Sequence, residues 1–156
     1  MDETYQRYAK VVYRFLMAQT HDSDLAEELT QETFYQAIRS SDRFDGSCKV
    51  STWLCGIARN VLLTYRRRHP QTAELMEQDQ VTPSAEADVI DAQDRTELFR
   101  QLHALDDPYR EVVYLRAFGD LSFKEVGEVL GRTEAWARTT FYRAKVQLRK
   151  AGAHHD

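Results

Sequence analysis

Glycine and proline are scarce in this chain, six and three among 156 residues, so few positions force a helix to break. The alternation of β-branched and polar residues that marks a half-buried strand is missing throughout. Two cysteines, Cys48 and Cys55, lack CxxC spacing, and the next histidine along the chain is His69. That pattern excludes a disulfide framework and a zinc finger, and predicts small, partly buried thiols in a reducing compartment. No apolar run nears the roughly 20 residues of a membrane span. Even Val61-Leu62-Leu63 is soon followed by Tyr65-Arg66-Arg67-Arg68. The start, Met1-Asp2-Glu3-Thr4, is acidic where a secretory signal would be basic, so the expected location is the cytoplasm. Catalytic apparatus is equally thin. His21, His69 and His103 stand singly among polar residues, and His154-His155 read as a terminal tail. With no nucleophile–base pair, metal-ligand spacing or phosphate-binding glycine loop, the expectation is no enzyme, no metal and no cofactor.

What is present is a helical pattern with segregated charge. Hydrophobic residues make up 42% of the chain, enough to fold. The net charge of −4 hides two basic clusters. Arg59, Arg66, Arg67, Arg68 and His69 form one, and Arg138, Arg143, Lys145, Arg149 and Lys150 the other. Between them lie Glu74, Glu77, Asp79, Glu86, Asp88, Asp91, Asp94 and Glu97. Two basic patches suit phosphate, while the overall charge opposes unaided DNA binding.

Periodicity predicts a first helix over roughly 4–18 and a second from an Asp22-Ser23-Asp24 cap toward Ile38 or Ser40. Ser41 to Val50 reads as a loop around Gly46, and a third helix runs from about Ser51 to Arg68, ended by Pro70. Its Leu54, Ile57, Ala58, Val61, Leu62 and Tyr65 make a wide apolar stripe. Residues 70–89 read as a flexible acidic linker. Leu98, Leu102 and Leu105 mark the next helix, and Asp107-Pro108 predicts a cap with an N1 proline before Val112, Val113, Leu115 and Phe118. Ser122-Phe123-Lys124-Glu125 is a capping box, Gly131 a left-handed stop, and Thr133 the cap of a last helix to about Lys150.

A short capped helix, a glycine turn and a longer basic helix outline a helix-turn-helix. In the last helix Ala137, Phe141, Ala144 and Leu148 should pack inward, leaving Arg138, Thr139, Tyr142, Arg143 and Arg149 outward with Trp136 on the flank. Arginine can bond guanine bidentately, and Thr139 or Thr140 can reach bases or phosphates; a solvated basic face is the plainer alternative. On the third helix Arg59 and Asn60 lie opposite the apolar stripe, and the arginines that follow suit either phosphate or the helix dipole. Phe44 and the short polar residues after it could receive an unstacked base or could simply be core. On the second helix Glu27, Gln31, Phe34 and Ile38 share one stripe while Leu25 and Leu29 lie elsewhere. Either one face meets the core and another a partner, or the helix is buried on most sides.

These residues resemble the extracytoplasmic-function sigma factors, a subfamily of the sigma-70 type. The run from Asp24 to Phe34 (DLAEELTQETF) is similar to region 2.2, which in that family docks on core RNA polymerase. Phe44-Asp45-Gly46, then Thr52-Trp53-Leu54 and Ile57-Ala58-Arg59-Asn60, resemble the regions that melt and read the −10 element. Tyr109 to Val113, Leu121 to Gly127 and Tyr142 to Lys145 resemble region 4.

The resemblance implies an all-α protein of two small helical domains: region 2 over 1–69, a flexible acidic linker over 70–89, and a region 4 helix-turn-helix over 90–152. It implies that Glu27, Glu28, Gln31 and Phe34 face polymerase. Phe44, Asp45, Gly46 and Ser47 would capture a flipped base, with Asn60, Arg59, Arg66 and Arg67 near −10 DNA. Trp136, Arg138, Thr139, Tyr142 and Arg143 would lie at the −35 element. The implied partners are core polymerase, promoter DNA and an anti-sigma factor. Thr64, Trp136 and Thr140 depart from the family's usual aspartate, small residue and arginine, so the −35 preference need not follow the common one. The competing reading is a stand-alone helix-turn-helix regulator, for which no dimer interface or ligand pocket is legible.

The negative net charge predicts that the isolated chain binds promoter duplex with a Kd no tighter than about micromolar at physiological salt. Fluorescence anisotropy measures this directly, and tight specific binding without polymerase would contradict it.

Overall fold

The computed structural model describes residues 2–70 and 89–153. The expected linker, with Glu74, Glu77 and Asp79, falls almost wholly outside the described residues, as do His154 and His155. Every described element is helical: α1 (Asp2–Thr20), α2 (Ser23–Arg39), α3 (Val50–Arg68), α4 (Val89–Ala104), α5 (Tyr109–Val113), α6 (Phe123–Leu130) and α7 (Glu134–Ala153). A short 3-10 turn, Ser41–Arg43, follows α2, and a π turn, Tyr114–Phe118, extends α5.

Local chemistry sets most of the boundaries. The Asp22 carboxylate accepts from the Asp24 and Leu25 amides at 3.1 and 3.2 Å and so opens α2. The chain reaches it through His21 in a left-handed conformation, φ 55°. Ser122 and Glu125 form the reciprocal capping box of α6, and Gly131 closes that helix at φ 69°. The Thr133 hydroxyl accepts from the Trp136 amide at 3.0 Å to start α7. The last turn of α3 carries Arg66, Arg67 and Arg68 against the negative end of its dipole.

The second half departs from expectation at α5. Pro108 sits one position earlier than N1, as the N-cap, after a cis Asp107–Pro108 bond, and Asp107 makes no capping bond. The helix stays regular for five residues and then widens into the π turn, whose end is capped by the Gly119 amide on the Tyr114 carbonyl at 3.0 Å. Leu98 is 48% exposed, while Leu102 and Leu105 are buried, so only part of the expected α4 stripe is core.

The first three helices bury Val12, Phe15, Leu16, Leu25, Leu29, Leu54, Ala58, Val61 and Leu62. The last four helices, with the π turn and the segment before α6, bury Leu102, Val112, Val113, Leu115, Leu121, Val126, Ala137 and Ala144. These two sets join in one cluster, with α1 against the π turn and α3 against α6. The halves therefore lie on one another rather than apart.

Gly127 marks the tightest approach in the second half. A methyl group there would lie 2.6 Å from the Arg132 carbonyl oxygen, whereas Gly131 has open space and only its left-handed φ to satisfy. Gly127→Ala is expected to cost about 2 kcal/mol or more in urea denaturation, and Gly131→Ala about 1 kcal/mol.

Candidate nucleic-acid interface

The loop before α3 is exposed at its tip and anchored at its base. Phe44 is half-buried with its ring 4.9 Å from that of Trp53, so it is neither free nor fully core. Asp45, Gly46 and Ser47 are exposed. The Asp45 carboxylate accepts from the Ser47 amide at 2.9 Å, and its hydrogen bonds with Ser47 hold it below the usual carboxylate range. Gly46, at φ 78°, turns the chain where a side chain would be strained.

Along α3 the expected DNA residues split. Asn60 is exposed, but its neighbour Arg59 donates from Nε to Glu111 Oε1 of α5 at 2.9 Å. Arg66 is half-buried and donates to the Gln19 carbonyl at 3.3 Å, so it braces its own helical bundle. Arg67 and Arg68 face outward.

On α7 Arg138, Thr139, Tyr142, Arg143 and Arg149 are exposed, with Ala137 and Ala144 fully buried. Thr140 is 5% exposed and packs inward, so unlike Thr139 it cannot reach bases or phosphates, contrary to the sequence expectation. Trp136 is half-buried, with the Arg132 guanidinium 5.1 Å from its ring. Arg138 pairs with Glu134 at 3.2 Å and lies over Phe123, an arrangement that steadies its stem along α7.

On α2 Glu27, Glu28 and Gln31 are exposed, and Phe34 is half-buried against Tyr5 at 4.8 Å. Ile38 is 74% and Tyr35 57% exposed, while Leu25 and Leu29 are buried. The helix thus has a core face and a separate apolar outer face, and is not buried on most sides.

A seam between the halves escaped the sequence reading. Thr52, Cys55 and Arg59 fall at i, i+3 and i+7 on α3, and all three meet the second half. The Thr52 hydroxyl donates to Glu125 on α6. Burial pushes the Glu125 carboxyl up, but hydrogen bonds from Thr52 and Ser122 outweigh it and hold the group below its ordinary value. Cys55 is fully buried beside the Gly119 carbonyl, and burial, then the charges of Glu125 and Asp120, push its thiol up to about 12. Arg14 and Asp120 pair at 3.4 Å on the rim. At the far end His21 Nε2 and His103 Nε2 meet at 2.7 Å. Those histidines looked solitary because 82 positions separate them. Only the mixed small-and-polar stripe on α3 could have signalled a second packed face.

Comparison with known proteins matches this organisation. Residues 4–71 fit the family model of sigma-70 region 2, and residues 95–148 that of sigma-70 region 4. The chain is 33% identical to the ECF RNA polymerase sigma factor SigM of Bacillus subtilis, over 96% of this chain and 93% of the relative. It is 30% identical to the RNA polymerase sigma factor YlaC of the same organism, over 96% and 90%. Among solved structures, the sigma factor RpoE in complex with the anti-sigma factor NepR, from Bartonella quintana, superposes with a TM-score of 0.74 at 18% identity, covering 96% of this chain and 94% of the other. CnrH in complex with the cytosolic domain of CnrY gives 0.70 at 18% identity, covering 99% and 88%. The protein belongs to the ECF subfamily of sigma-70 type RNA polymerase sigma factors and directs transcription initiation.

Proposed function

We propose that residues 1–69 anchor the chain on core RNA polymerase and hold melted −10 DNA, that residues 90–152 grip the duplex −35 element, and that residues 70–89 join them. The observation that carries this reading is the outward row on α7. Arg138, Thr139, Tyr142 and Arg143 are all exposed on a helix whose opposite face is buried, directly after the Gly131 turn. That is the presentation a recognition helix needs in a major groove. Trp136 flanks the row at the end nearer the turn.

In region 2 the exposed tip Asp45-Gly46-Ser47, beside the Phe44–Trp53 ring pair, offers a pocket edge for one flipped base. Asn60 and Arg67 lie open to the adjacent strand, whereas Arg59 must leave Glu111 before it can join them. Arg66 contributes by holding α3 to the end of α1. Glu27, Glu28 and Gln31, with the edge of Phe34, form the polymerase contact, and the apolar Tyr35 and Ile38 extend it. The work is positional: the chain makes and breaks no covalent bonds, and acts in the cytoplasm where polymerase and promoters are. RpoE has been solved with the anti-sigma factor NepR, and CnrH with the cytosolic domain of CnrY; a sequestering protein of the NepR kind is proposed here. No helix among the described residues is long and apolar enough to cross a membrane.

Run-off transcription from a promoter library, with core polymerase alone and with this protein added, tests the reading. Start sites that need the protein and share spaced −35 and −10 motifs are expected. No new starts, together with duplex binding by the chain alone, would replace it with a stand-alone regulator. Arg143→Ala is expected to weaken holoenzyme binding to such promoters about tenfold while leaving core binding unchanged. Glu27→Arg with Gln31→Arg is expected to do the reverse, weakening core binding.

A further inference from the structure

The two halves meet through one contact that chemistry allows in only some protonation states. His21 lies between α1 and α2, and His103 near the end of α4, so each comes from a different half of the chain. Their Nε2 atoms are 2.7 Å apart, and the rings meet edge to face with centroids 4.8 Å apart. At that distance one nitrogen must donate and the other accept, so the pair cannot hold protons on both facing atoms. We propose that this imidazole pair is an acid-released latch that holds the two halves together.

The surroundings oppose a second positive charge. Phe99 of α4 packs edge-on against His21 at 4.8 Å. The Tyr114 hydroxyl of the π turn lies 3.2 Å from His103 Nδ1 and 3.3 Å from the Nε2 that faces His21, so it borders both nitrogens of that ring. Arg110 of α5 donates to the His103 carbonyl at 3.2 Å, and Arg66 of α3 lines the same cavity, as does Arg59. The carboxylates that line it are engaged: Glu111 with Arg59 at 2.9 Å, and Asp107 with Arg110 at 3.4 Å. Burial, then the charges of His21, Arg66 and Arg110, lower His103 to about 4, and burial lowers His21.

The direction follows. With the halves apart, each imidazole regains an ordinary value near 6.5, so the open form takes up protons that the closed form refuses. The pair's contribution to closure is full above about pH 6.5 and is lost progressively as the pH falls from there toward the lowered value of His103, about 4. Carboxylates ordinarily titrate near pH 4, and Glu125 is held lower than usual, so its contact with Thr52 keeps its charge at pH 5.5. Acid release would also free Arg59 from Glu111, one of the groups assigned above to −10 DNA; that consequence, unlike the latch, rests on the proposed roles.

Probes at Gln6→Cys and Gln147→Cys, both exposed positions, in a Cys48→Ala background would report closure by energy transfer in the full chain. The open-to-closed ratio is expected to rise roughly tenfold between pH 7.5 and 5.5 from His103 alone. In His21→Asn/His103→Gln, which cannot titrate and suits the left-handed backbone at position 21, the change should fall below about twofold. A ratio that ignores pH in the wild type, or that changes equally in the variant, overturns the latch. Imidazole proton resonances of the unmodified chain supply a check that needs no variant. Both are expected to shift together below pH 6, and independent titration near 6.5 contradicts the proposal.

Discussion

One helix is asked to satisfy two neighbours. The apolar side of α3, Leu54, Ala58, Val61 and Leu62, completes the first bundle. A second stripe a third of a turn away, Thr52, Cys55 and Arg59, is spoken for by α6, the Gly119 turn and α5. A helix can bury both faces only if the second offers partners for every polar group it brings, since an unpaired buried group costs more than its bond returns. Here each is matched: hydroxyl to carboxylate, thiol to carbonyl, guanidinium to carboxylate. No buried side-chain nitrogen or oxygen among the described residues lacks a partner.

The polar character of the seam also explains why it can be a reversible contact. Ion pairs and hydrogen bonds exchange readily for water, so a junction built from them gains less from closure than an apolar one of equal size. The aliphatic cores of the two halves also join in one cluster, so these polar contacts act beside apolar burial.

How much of this was legible in the sequence divides along the same line. Short-range grammar was: Asp22, the Ser122–Glu125 box, Gly131 and Thr133 act within four residues of themselves, and they stand where their side chains dictate. So was the outward row of α7, because Ala137 and Ala144 leave no doubt which side is core. Position 140 was misjudged because a threonine is small enough to bury and polar enough to look exposed; its neighbours did not decide it. The π turn after Val113 and the cap at Pro108 lie where α5 packs on α7 and the π turn on α1, contacts that no local pattern records. The meeting of His21 with His103, and of Arg59 with Glu111, is a property of the assembled chain alone. On α2 and α7 the sequence pattern picks out side chains that are exposed, Glu27, Glu28 and Gln31 with Arg138, Thr139, Tyr142 and Arg143, but it could not tell that Arg59 and Arg66 are engaged.

Cys55 gives the seam an unexpected chemical signature. A sulfur attacks peroxide or an electrophile as thiolate, and burial keeps this one protonated far above cellular pH. The same walls that raise its proton affinity also keep oxidants out. Cys48, half-buried in the loop before α3, is the more accessible sulfur, though its thiol too is raised, by burial and then by Glu128, Asp45 and Glu125. Were the halves to part, Cys55 would lose its cover on the side of Gly119, and a sulfenic acid formed there would bring an oxygen into space sized for a bare sulfur. Oxidative damage at this position would therefore record past openings of the molecule and hinder the next closure.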